Sequence, residues 1–221
     1  QDAYKHVLYE LGVRTDISPE ESADMVDNVG FGFYYQPNFA PEIVELSERR
    51  DMMGVRTFVN TIETLANPAG ASVHLGSFYH LPYAKRIIDT FRASETSDID
   101  RVVMFQGLEG YDDVRPGSTK VAVWDDGAEI EDFDIETPEY GMDFESEDLG
   151  VDDIAADSAA ITEAVLAGDR TDRFADAIAV NAALRIYAGG DADDIAAGLE
   201  TAREALESGA AAERLEALRA F

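Results

Sequence analysis

The stretch Gln106-Gly107-Leu108-Glu109-Gly110-Tyr111-Asp112-Asp113 is where this sequence most plainly offers chemistry. Two adjacent carboxylates, Asp112 and Asp113, in a glycine-bounded loop suit a hydrated Mg2+, a hard cation that takes oxygen ligands and keeps several waters. Such an ion is normally shared with substrate phosphates. The pair also has a plainer reading, because acidic pairs recur at Asp125-Asp126 and Asp152-Asp153. Arg49, Arg50 and Arg56 form a second cluster, whose planar guanidinium forks suit an anionic ligand. Against that, Arg49 and Arg50 near a helix C-terminus would complement its dipole and the neighbouring Glu45 and Glu48. His6, His74 and His80 are scattered without metal-ligand spacing and read as surface or core residues. The absence of cysteine excludes disulfides, thiolate zinc sites and thiol catalysis together. There is no G-x-S-x-G elbow, no Walker loop and no G-x-G-x-x-G.

The elements that must position these residues follow from periodicity and punctuation. Tyr4, Val7, Leu8 and Leu11 fall at helical spacing and end at Gly12, so the chain opens in mid-pattern, as if upstream sequence were missing. Ser18-Pro19-Glu20-Glu21 supplies an N-cap, a first-turn proline and a capping-box acid for a helix reaching Gly30. Phe31 to Gln36 reads as a short aromatic strand, Pro41 to Met53 and Thr57 to Leu65 as helices. Ser72 to Tyr79 has a strand pattern and Leu81 to Phe91 a helical one. Arg101 to Gln106 is the compact apolar run of a buried strand, and the acidic loop leaves its carboxyl end, where open α/β sheets place ligands. Lys120 to Trp124 and Glu129 to Phe133 flank Asp125-Asp126-Gly127 as a hairpin. Helices over 153–167, 171–188, 191–208 and 210–219 close the chain, split by Gly168, Gly189-Gly190 and Gly209. The alternation predicts an α/β fold with a mainly parallel central sheet and a helical C-terminal segment.

The length of 221 residues suits a single domain, and 46 acidic against 17 basic side chains give a formal charge of −29. The acids are spread along the chain, which reads as adaptation to a salt-rich cytoplasm, where a short Debye length relieves self-repulsion. No apolar run is long enough for a membrane helix. Phosphates want a basic patch and none is visible, so nucleic acid is disfavoured as a partner.

Several segments, taken in order, resemble the anthranilate phosphoribosyltransferase family. Arg50, Gly54-Val55-Arg56-Thr57, Asn60 and Asn67-Pro68 resemble its R-x-x-x-G-x-R-T-x-x-N-x-x-G-P-L-x-N-P stretch. Val7 to Gly12 is similar to its V-L-E-A-L-G helix end, and Leu75-Gly76-Ser77-Phe78 to its L-G-V-Y strand. Gly107 to Asp113 resembles its G-x-D-G-L-D-E loop, and Ala159 to Gly168 and Asn181 to Tyr187 its closing helices. The resemblance implies a fold of the nucleoside phosphorylase and phosphoribosyltransferase type. It implies transfer of phosphoribosyl from phosphoribosyl pyrophosphate to an aromatic amine, in tryptophan biosynthesis if the acceptor is anthranilate. It places Mg2+ at Asp112 and Asp113 and substrate contacts at Arg50, Asn60, Glu63 and Thr64. It also implies a cytoplasmic enzyme that forms a homodimer at full length.

Three departures qualify it. The family's G-P-L is here Glu63-Thr64-Leu65, and a carboxylate facing the acceptor channel would repel the carboxylate of anthranilate. The alternative is that Glu63 faces solvent. The metal pair is Asp-Asp, with a shorter second arm. The family's G-T-G-G-D and K-H-G-N segments have no counterpart in residues 1–221, so residues 1–221 are expected to be a catalytic α/β domain lacking the phosphate loop and most of the small helical domain, and inactive alone. A second reading also stands: a non-catalytic relative that kept the fold as a ligand- or nucleic-acid-binding module.

Overall fold

The computed structural model describes residues 3–42, 64–107 and 113–221. Its centre is a four-stranded sheet in the order β1 (Val73–Phe78), β2 (Arg101–Gln106), β3 (Ser118–Asp125) and β4 (Glu131–Glu136). β1 and β2 pair in parallel, Val73 opposite Arg101, because a helical crossover, α4 (Leu81–Ala93), separates them. β2–β3 and β3–β4 pair antiparallel. The α/β class is as expected, but the sheet is mixed and not mainly parallel, since only β1–β2 has a helical crossover and the other two pairings described are antiparallel. Asp125-Asp126-Gly127 forms the expected turn, with Gly127 at φ 77° and the Ala128 N–H donating to Asp125 O at 2.9 Å. A turn this short can only return the chain antiparallel.

β2 shows why it belongs at the centre. Val102, Val103, Met104 and Phe105 are all buried, as a strand covered on both faces requires. Val102 and Met104 pack with Phe78, Ile87, Ile88 and Trp124 beneath α4. Val103 and Phe105 point the other way, into a core with Val121, Ile135, Val180 and Leu184. That second face is covered by α6 (Arg173–Gly189) and α7 (Ile195–Glu207). α6 and α7 touch closely at Gly198, where an added Cβ would lie 2.7 Å from Ala183 O.

A third apolar cluster, including Leu11, Met25, Ala159 and Leu218, joins α1 (Ala3–Glu10), α2 (Pro19–Val29), α5 (Ile154–Leu166) and α8 (Ala210–Ala220). α2 carries the expected capping box. The Glu21 N–H donates to Ser18 Oγ and the Ser18 N–H returns to Glu21 Oε2 at 2.9 Å. Arg219 ties the cluster's ends together, donating to Leu11 O at 2.6 Å and pairing with Glu163 at 2.9 Å.

The strand expected over Phe31–Gln36 is absent, and α3 (Gln36–Phe39) begins inside it. Its backbone lies against α2 instead of a sheet edge. Ser22 Oγ donates to Phe33 O at 2.9 Å, and a Cβ on Gly32 would meet Ser22 O at 2.8 Å. The alternating aromatics serve a helix surface: Phe33 and Tyr35 stack at 6.5 Å and Lys5 lies over the Tyr35 ring at 3.7 Å. Of the helices expected over Pro41–Met53 and Thr57–Leu65, only Pro41, Glu42, Thr64 and Leu65 fall within the described residues, and these four are helical.

Candidate active site

Parallel pairing brings the carboxyl ends of β1 and β2 to one edge of the sheet, where the Gly107 N–H donates to Phe78 O at 2.9 Å. β3 starts at the same edge, since its Val121 faces Phe105. Gly107 at the end of β2 and Asp113 on the approach to β3 are the described residues on either side of 108–112. Asp113 stands on this approach with its side chain 51% exposed, and Arg185 Nη2 of α6 lies 3.9 Å from its Oδ1. A half-exposed carboxylate at a sheet mouth fits a hydrated Mg2+, which needs only one or two carboxylates beside water and phosphate oxygens. Arg185 next to it is ill placed to help a bare cation but well placed for the anion that such a cation accompanies.

The loop's exit is anchored on α6. Val114 is buried, and the side-chain amide of Asn181 meets both of its backbone polar groups. Beyond it the Arg115 N–H donates to Thr119 Oγ1 at 3.3 Å, and the Gly117 N–H to the buried Thr137 Oγ1 at 2.8 Å.

Thr64 is the second expected site residue that is described. Tyr83, in the first turn of α4, donates to its Oγ1 at 3.2 Å. Because α4 follows β1 directly, that turn begins at the same edge. Asp113 and Thr64 are thus both tied to elements that meet at the carboxyl edge. Asp112, Arg49, Arg50, Arg56, Asn60 and Glu63 lie outside the described residues. Among the described residues no three acidic or histidine side chains gather as a metal site. The sequence reading missed Arg185 and Asn181 as individual residues. Their one local signal is an asparagine, which competes for backbone hydrogen bonds, placed inside an alanine-rich helix.

The expected bland roles of the histidines hold for His74. It packs against Phe91 at 4.8 Å, its Nε2 is buried without a partner, and burial lowers its pKa below the ordinary imidazole value. Two surface concavities lie elsewhere. One of about 360 Å³ sits over the outer strand β4, between Phe133, Tyr140, Tyr187 and Asp194, and one of about 340 Å³ lies below the last turn of α4, at Thr90, Phe91 and Ser94. Neither includes Asp113 or Thr64.

Residues 5–212 match the model of the glycosyl transferase family, a/b domain. The chain belongs to that family. It is 30% identical to the anthranilate phosphoribosyltransferase of Persephonella marina over 219 residues, 97% of this chain and 62% of that protein. The same figure, 30%, holds for the anthranilate phosphoribosyltransferase of Natronomonas pharaonis over 215 residues, 97% of this chain and 63% of that one. The crystal structure of anthranilate phosphoribosyltransferase from Thermus thermophilus superposes with a TM-score of 0.79 at 27% identity, covering 98% of this chain and 63% of that chain. The Saccharomyces cerevisiae enzyme in complex with PRPP and Mg gives 0.80 at 20% identity, over 97% of this chain and 59% of that one, a likeness of fold. The chain thus spans a little under two thirds of the length of these relatives. Among the described residues no helix is long and apolar enough to cross a membrane.

Proposed function

We propose that this protein is a cytoplasmic phosphoribosyltransferase that moves phosphoribosyl from phosphoribosyl pyrophosphate to an aromatic amine, in tryptophan biosynthesis if that amine is anthranilate. The observation that carries the reading is the family match over residues 5–212, combined with Asp113 at the carboxyl edge of β1 and β2. Asp112 and Asp113 are assigned to Mg2+, which would neutralise charge on the departing pyrophosphate. Arg185 stands beside Asp113 to take a share of the anion's charge. Arg50, Asn60, Glu63 and Thr64 are assigned to the substrates, and Thr64, held by Tyr83, borders the acceptor side.

A displacement at the ribose anomeric carbon develops positive charge on the sugar and negative charge on the leaving group. Holding both substrates in line and excluding water accounts for most of what the side chains need to do. The homodimer and a salt-rich working medium belong to the same reading, the latter resting on the charge of −29.

The assay is pyrophosphate release from phosphoribosyl pyrophosphate with anthranilate in molar KCl, using the protein expressed from its natural gene. Activity is expected, with a loss of roughly a hundredfold or more in an Asp112→Ala, Asp113→Ala double variant, as when groups that stabilise transition-state charge are removed. Unchanged turnover in that variant removes the metal assignment. One observation favours a second reading, a non-catalytic relative acting as a ligand- or nucleic-acid-binding module: Glu63-Thr64 stands where the family has Gly-Pro. Restoring Gly-Pro at these two positions decides it. Anthranilate activity that appears only after the change means the pocket has turned to another acceptor, and tight duplex DNA binding with a steep salt slope means the module.

A further inference from the structure

Asn181 lies partly buried in the middle of α6, between Val180 and Ala183, which face the sheet. Its side chain contacts a segment 67 residues away, and it does so as a paired strand would. The Val114 N–H donates to Asn181 Oδ1 at 2.8 Å, and Asn181 Nδ2 donates back to Val114 O at 3.0 Å. The second Nδ2 hydrogen goes to Ala177 O at 3.0 Å, and Oδ1 also accepts from Arg185 Nη1 at 3.4 Å. Arg185 Nη1 in turn donates to Asn181 O at 2.8 Å. Both donors and both lone pairs of one amide are thereby used. Asp lacks the donors, and Gln would carry the amide a methylene too far.

Val114 directly follows Asp113. Fixing both polar groups of Val114 fixes the peptide plane from which the Asp113 side chain departs, and Arg185, oriented by the same amide, is the cation beside that carboxylate. We infer that Asn181 is a positioning residue for Asp113. It ties Val114 to α6, so that Asp113 and Arg185 are presented together to a divalent cation and the diphosphate it accompanies. This rests on the metal reading of Asp112 and Asp113 given above.

The test is Mn2+ binding to the chain in molar KCl, read from the loss of the free-ion electron paramagnetic resonance signal. Asn181→Ala and Asn181→Gln, which keeps the amide but sets it one methylene farther out, are compared with the wild type, the Asp112→Ala, Asp113→Ala double variant, and Gly198→Ala. Gly198→Ala serves as a control, because it disturbs α6 through packing at Ala183 and leaves the amide alone. The expected result is a roughly tenfold weaker Mn2+ affinity in either Asn181 variant at a temperature where circular dichroism shows it folded, with no change in Gly198→Ala. Wild-type affinity in either folded Asn181 variant, or an equal loss in Gly198→Ala, overturns the positioning role. Wild-type Mn2+ binding in the double aspartate variant overturns the metal reading itself, and the inference with it.

Discussion

At the scale of single residues, the molecule separates groups that must stay neutral from groups that must stay charged. His74 is on the apolar side of β1, under Phe91, with a buried and unpartnered Nε2. Because burial depresses its pKa, the unfolded chain holds more protons than the folded chain between the folded value and the ordinary one near about 6.5. Stability associated with His74 is therefore complete above that ordinary value and is lost as pH falls toward the folded one. His74→Leu should remove the loss. The urea midpoint of the variant should gain on that of the wild type as pH drops from about 7 to about 5. A constant difference across that range contradicts the assignment. The acidic pair at 112–113 stands out in the sequence because two carboxylates between glycines are a local signal, and of the two only Asp113 falls within the described residues. Asn181 and Arg185 do not stand out, because their roles depend on a contact 67 residues away in the chain. Glycosyl transfer itself entered only through the ordered resemblance, since no single side chain here announces it.

Among the elements, what was legible was whatever the chain states locally. The Ser18 to Glu21 capping box, the Asp-Asp-Gly turn and the unbroken apolar run of β2 all form as their residues dictate. The same aromatic alternation at Phe31 to Tyr35 that suggests a strand lies on α2, because Gly32 lets the backbone approach the helix and Ser22 Oγ donates to Phe33 O. Sheet direction was half legible: the hairpin's antiparallel sense follows from its short turn, whereas the β2–β3 pairing depends on a loop that carries no such mark. α6 and α7 cross closely at Gly198, where a methyl group would stand 2.7 Å from the Ala183 carbonyl oxygen. Since backbone must give way there, Gly198→Ala should cost about 1–3 kcal/mol and lower the thermal midpoint by roughly 2–4 °C per kcal/mol. An unchanged midpoint in thermal denaturation would show that the two helices separate without cost.

For the whole molecule, charge dominates. A formal −29 on 221 residues leaves few cations to offset it, and several of these are already engaged in pairs. Lys120 bridges Asp132 and Asp134 at 3.3 and 3.1 Å, and Arg101 holds Asp125 at 2.7 Å. Such exposed pairs are each worth little, so the net repulsion must be screened by the medium. The thermal midpoint should rise from low-salt buffer to molar KCl by at least about 2–4 °C, the shift that roughly 1 kcal/mol produces at this chain length. A midpoint that is flat or falls with KCl would mean that the acids are not arranged for salt. That the excess acid suits a salt-rich medium rests on composition alone, and this experiment judges it.

The central claim is that the carboxyl edge of β1 and β2 holds a magnesium-bound diphosphate through Asp112 and Asp113. It is tested most directly by calorimetric titration of phosphoribosyl pyrophosphate into the protein expressed from its natural gene, in molar KCl, with Mg2+ and then with chelator. The account predicts binding that requires Mg2+ and weakens roughly tenfold or more in the Asp112→Ala, Asp113→Ala variant. Equal affinity in wild type and variant, or binding indifferent to chelation, would contradict it.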